Sequence, residues 1–144
     1  MTVDRAPKLR RIAMALLRQE FPDRLGTVDK VLRVKTETPD NLRELLVAQT
    51  CFVRVGQLPG RTTQNQISAI LDFDVFALTD DAAEDLALDI DAMLLGRRLL
   101  RVASGPFVGE SLDTVVSQMS PHTVPWADAG VRRYYSSYAV TARR

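Results

Sequence analysis

The sequence predicts an α+β domain: a mainly antiparallel or mixed sheet of about four to five strands with two main helices packed on one face. Three observations carry this prediction. Residues 9–21 place apolar side chains at helical spacing, residues 67–77 alternate in period two, and residues 79–95 return to helical spacing behind a run of capping residues. The coarse order is α-β-β-β-α-β-β, and at 144 residues the chain fits a single domain over 1–144.

The first helix is read over residues 7–21. Leu9, Ile12, Ala13, Leu16 and Phe21 share one face, with Arg10, Arg11 and Arg18 on the others. Pro7 suits the first helical turn and Pro22 closes the element. Residues 31–35 alternate weakly as a short strand, and Pro39-Asp40-Asn41 opens a loop or a short helical turn through Leu46. In residues 51–55, Cys51, Val53 and Val55 share one face of a strand with Arg54 on the other. Residues 57–66 are polar, turn at Pro59-Gly60 and are too long for a tight hairpin, which predicts a mobile, protruding loop.

Residues 67–77 give the strongest strand pattern. Ile67, Ala69, Leu71, Phe73, Val75 and Ala77 are all apolar, and Ser68, Asp72 and Asp74 point the other way. Thr79, Asp80 and Asp81 are N-cap candidates for the next helix, and Asp81 with Glu84 resembles a capping box. Ala83, Leu86, Ala87, Ile90 and Leu94 form its buried stripe, and Gly96 suits the position after its end. Residues 99–103 read as a strand, followed by a turn at Ser104-Gly105-Pro106 and a long irregular stretch carrying Pro121, Pro125 and Trp126. Residues 133–143 alternate as a terminal strand rich in β-formers.

Composition excludes several function classes. With 19 basic and 18 acidic residues the chain lacks the charge of a protein that coats nucleic acid. One Cys and one His exclude a disulfide framework and a Cys/His metal cluster. The apolar runs are too short to span a bilayer, and the N-terminal residues lack the apolar core of a signal peptide, so a protein retained inside a cell is expected. The near-neutral total hides an uneven distribution. Residues 1–36 hold nine basic and four acidic side chains, residues 37–71 three of each, residues 72–91 none and eight, and residues 92–144 seven and three. This is either a solvated acidic helix face or a pair of unlike surfaces suited to stacking against copies or partners.

Catalytic motifs are weak. The segment Ala69-Ile70-Leu71-Asp72-Phe73-Asp74 resembles the first motif of haloacid-dehalogenase-type phosphatases, which would make Asp72 and Asp74 nucleophile and acid/base, or a metal-binding pair in a small hydrolase. Phe76 departs from that motif and no Lys follows Lys35 to bind phosphate. Residues two apart on a strand share a face, so both aspartates are expected on the solvent side. His122 and Cys51 stand without partners at catalytic or metal spacing, which assigns them structural roles. No phosphate-cradling glycine loop occurs, and Tyr134, Tyr135 and Tyr138 alternate as strand residues rather than as base-stacking platforms. No cofactor is expected.

The order of elements is distinctive. An amphipathic N-terminal helix precedes Cys51-Phe52-Val53-Arg54-Val55-Gly56, a polar loop and the strand over residues 68–77. The acidic helix then leads to Ser104-Gly105-Pro106, an isolated Trp126 and the closing Arg132-Arg133-Tyr134-Tyr135-Ser136-Ser137-Tyr138-Ala139-Val140-Thr141-Ala142-Arg143. Over residues 8–144 this resembles the tail terminator (tail completion, or neck) proteins of long-tailed, non-contractile bacteriophages. The resemblance implies a virion structural protein, not an enzyme, built as a homohexameric ring. Such a ring caps the head-proximal end of the tail tube, ends tube polymerisation and joins the tail to the head. Its implied partners are further copies of itself, the tail tube protein and the head-tail connector protein, with no membrane and no sequence-specific nucleic acid. Its implied location is the neck of the virion, reached from the host cytoplasm. Another neck or connector component, or a tail tube subunit, is the alternative of the same class. On composition alone, Arg61, Arg97, Arg98, Arg132 and Arg133 are the candidate charged interface contacts, with Pro59 and Gly60 at the turn of the loop suited to reaching a partner.

Overall fold

The hydrophobic periods map onto three helices and seven strands in a computed structural model that describes residues 9–22, 34–36, 38–40, 42–48, 51–60, 65–96 and 100–143. The helices are α1 (Leu9–Glu20), α2 (Leu42–Ala48) and α3 (Asp80–Leu95). The strands are β1 (Val34–Lys35), β2 (Phe52–Pro59), β3 (Gln66–Ala77), β4 (Leu100–Arg101), β5 (Ser111–Leu112), β6 (Thr114–Thr123) and β7 (Arg132–Arg143). The main sheet has the order β1-β2-β3-β7-β6, and β4 with β5 forms a separate two-stranded ribbon. Only β1 pairs in parallel; β2, β3, β7 and β6 form an antiparallel sheet, as α+β architecture requires.

Period two on β3 decides which face is the core. Leu71, Phe73, Val75 and Ala77 are fully buried, and they pack with Val53 and Val55 of β2 and with Tyr138 and Val140 of β7. Over this face lie α1, through Leu9, Ile12, Leu16 and Leu17, and α3, through Leu86, Ile90 and Leu94. Each such Leu, Ile or Phe contributes about 1.5–3 kcal/mol on leaving water. The expected pair of helices on one face is therefore present. Of the two readings for the segment through Leu46, a loop or a short helical turn, the helical one holds as a third helix, α2, and it packs on the opposite face. There Leu42 and Leu46 meet Phe52, Phe76 and Val131, with Trp126 alongside.

Several expectations change. Of the predicted loop over 57–66, residues 57–59 belong to β2, which pairs through Leu58↔Ile70 and Pro59↔Ala69, residue 66 opens β3, and residues 61–64 lie outside the described residues. The helix α3 is capped by Thr79, whose hydroxyl accepts from the Ala82 amide at 3.2 Å, not by an Asp81–Glu84 box. Gly96 ends it in extended backbone (φ −64°, ψ 157°) rather than in the left-handed form. Of the strand read over 99–103, Leu100–Arg101 is β4, and its ribbon turns through Gly105 and Gly109 at φ +88° and +86°, the region that favours glycine. The largest change is β6. A ten-residue strand occupies the stretch read as irregular, and Pro121 is tolerated because β6 is an edge strand. Register shifts between Ser117, Met119 and His122 break its period.

Candidate functional site

The predicted contact residues fall at opposite ends of the sheet. Pro59 and Gly60 are exposed at the β2–β3 tip. A Cβ at Gly60 would lie 2.6 Å from the Ser68 carbonyl carbon, so only glycine lets the end of β2 pass so close to β3. Arg132 and Arg133 open β7 at the other end, on opposite faces. Arg132 reaches Asp80 at 3.6 Å with both side chains more than half exposed, a contact worth at most about 1 kcal/mol. Arg61, Arg97 and Arg98 lie outside the described residues. The structure thus brings neither end of the predicted set to the other.

Arg133 belongs to a buried clasp instead. Asp74 is 3% exposed, which overturns its expected solvent position. Its Oδ1 accepts from Arg133 Nε at 2.7 Å, and its Oδ2 accepts from Arg54 Nε at 2.9 Å and Nη2 at 2.5 Å. The pairing Arg54↔Asp74 across β2 and β3 and Phe76↔Arg133 across β3 and β7 places all three on the face away from α1 and α3. Arg54 also donates to Thr38 Oγ1 at 3.0 Å. The Trp126 ring lies 5.9 Å from the Arg54 guanidinium and 5.4 Å from that of Arg133, and packs edge-on against Phe76 at 4.9 Å. A carboxylate committed to two guanidiniums has its lone pairs occupied and is a poor nucleophile or metal ligand. Trp126, Arg132 and Arg133 also line an open recess of about 450 Å3.

Asp72 is half-buried beside Gly56, where any Cβ would collide with its carboxylate. Burial, then the charges of Asp72 and Asp74, push the neighbouring Tyr135 hydroxyl above its usual pKa. His122 packs edge-on against Tyr135 at 5.9 Å, with its Nδ1 2.8 Å from the Ser120 carbonyl, and the buried Cys51 thiol donates weakly to the Ala82 carbonyl at 3.6 Å. Among the described residues, no group of three or more His, Cys, Asp or Glu could hold a metal ion. No helix among them is long and apolar enough to cross a membrane.

What the fold offers outward is surface. Leu58, Ile70, Ala139 and Val116 pair in sequence across β2, β3, β7 and β6, making an apolar row on the face away from α1 and α3. Leu58 and Val116 are 53% and 62% exposed, and Met119 beside them 47%. The outer edge of β6 has no strand beside it among the described residues, which leaves a template for pairing. Sequence reasoning missed Arg54, Trp126 and this row. Val116, Met119 and His122 share the face at intervals of three only because the irregular register intervenes.

The charge separates across the molecule. Contacts place α1 over β1, β2 and β3 and beside β5, and α3 over β3, β7 and β6, so α1 leans to the β1 side of the sheet and α3 to the β6 side with β3 beneath both. The outer face of α3 shows Asp81, Glu84 and Asp85, then Leu88 and Leu95. Glu84 accepts from Tyr134 at 3.4 Å; burial first, then the Glu84 charge and this hydrogen bond, raise the tyrosine pKa. On α1, Arg10, Arg11 and Arg18 line a recess of about 430 Å3 with Met14 and with Phe107 of the ribbon turn. Burial lowers the Arg18 pKa, though an arginine stays protonated at neutral pH.

No protein-family model matches the chain, and no curated protein does. Among solved structures, a chain from the virion of a native gene transfer agent (GTA) particle has a similar fold, with a TM-score of 0.61 and 12% sequence identity over 94% of this chain and 95% of that one. At this identity the likeness is one of fold, and it extends over nearly the whole length of both chains.

Proposed function

We propose that the protein is a non-enzymatic virion structural protein that caps the head-proximal end of a phage tail tube as a homohexameric ring, ends tube polymerisation and joins the tail to the head connector. The observation that carries this reading is the fold shared, end to end, with a subunit of a gene transfer agent virion. Surface chemistry supports it. A closed ring needs two different patches on each subunit, and the acidic outer face of α3 and the basic face of α1 are unlike in charge. A cap needs further faces for the tube below and the connector above, and the open sheet row with the β2–β3 tip supplies exposed apolar area for them. The clasp around Asp74 argues against the hydrolase alternative, because it ties up the carboxylate on which that alternative depends.

Deleting the gene from its parent phage tests the role. The expected phenotype is overlong tails that lack heads. Tails of normal length joined to heads in the deletion would sink the proposal, and complete absence of tubes would favour the tube-subunit alternative.

A further inference from the structure

The basic recess on α1 combines positive charge with apolar area. Arg11 is exposed, Arg10 is half-buried, and the Arg10 Nε is buried with no acceptor among the described residues. Met14 and Phe107 form the apolar part of the lining. The outer face of α3 has the same composition with the charge inverted. Asp81, Asp85, Leu88, Ala92 and Leu95 follow one another at spacings of four, three, four and three, so they form one stripe, acidic at its start and apolar towards its end. Leu88 is 48% and Leu95 41% exposed. The recess is lined by α1 and the ribbon turn with no residue of α3, so the two patches are separate surfaces of one chain.

We infer that the α1 recess of one copy receives the outer face of α3 from a second copy, with Arg10 and Arg11 meeting Asp81 and Asp85, and Met14 and Phe107 meeting Leu88. This rests on the ring proposed above and names the surfaces that build it. The contact is head-to-tail, so its repetition gives a ring where the rotation closes. It removes exposed leucines from water and fixes register through opposite charge.

Charge reversal tests the contact. Arg11 and Asp85 are exposed, so Arg11→Glu and Asp85→Lys should leave the fold intact by circular dichroism. Each alone should weaken self-association in sedimentation equilibrium by about tenfold or more. An equal mixture of the two variants, and the double variant, should recover it, because each reversed recess then meets a reversed helix. As a second measurement, Ala15→Cys and Leu88→Cys chains mixed under oxidising conditions should cross-link to each other. Rings that assemble normally despite both single reversals, or a double variant no better than the singles, would overturn this contact and leave the ring itself standing. A wild-type chain that stays monomeric at its highest soluble concentration would overturn both.

Discussion

Asp74 brings a negative charge into the sheet, and two guanidiniums from neighbouring strands meet it. Removing it leaves Arg54 and Arg133 packed against Trp126 without a counter-charge. Asp74→Ala is therefore expected to cost about 3–5 kcal/mol in chemical denaturation, against about 1 kcal/mol or less for Asp72→Ala. Equal losses at the two positions would contradict the clasp. Tyr138 gives a pH test. Its buried hydroxyl donates to Asp91 at 2.7 Å, and burial first, then the hydrogen bond to Asp91 and the Asp91 charge, outweigh the opposing Ser136 hydrogen bond and raise its pKa well above the usual tyrosine value of about 10. The folded state holds this proton longer than the unfolded chain does. Its stability contribution is thus complete below about pH 10 and falls as the pH rises beyond that. Tyr138→Phe should cost about 1 kcal/mol at pH 7 and flatten the alkaline loss of stability. In the sequence, period two assigned Asp72 and Asp74 to the non-core face of β3 correctly. It could not show that α2 and Trp126 cover the Asp74 end of that face, because those contacts come from segments far away along the chain.

Among the elements, α3 was the most legible, since its apolar stripe, acidic first turn and cap residues all agree. The choice among Thr79, Asp80 and Asp81 as cap depended on backbone geometry. Thr79→Ala should lower stability by about 1 kcal/mol, seen as a drop in Tm, whereas Asp81→Ala should be nearly silent. The least legible element was β6, whose alternation is broken by two register shifts and whose Pro121 reads as a loop signal. Its place at the sheet edge permits both. A strand with most of its side chains exposed carries little core energy, so Val116→Lys should change stability by less than about 0.5 kcal/mol. If β6 were buried in the isolated chain, the loss would be several times larger. The end of β2 is hard to read for a related reason: Gln57, Leu58 and Pro59 carry no alternating pattern because they are exposed on both faces.

For the whole molecule, the charge count by segment was informative where the net charge was not. Eight acids within residues 72–91 form, in part, the outer face of α3, while basic residues from the first helix line a recess between α1 and the ribbon turn. The sequence places those charges on elements; the strand order β1-β2-β3-β7-β6 sets one helix toward β1 and the other toward β6, and no local period encodes that order. Association through such surfaces should weaken as salt rises and the Debye length falls from about 10 Å at 0.1 M to about 3 Å at 1 M. Negative-stain imaging of the purified protein at low salt tests the ring itself. Closed rings of six-fold symmetry that do not stack further are the predicted result. Monomers alone, or rings that continue into long tubes, would contradict it.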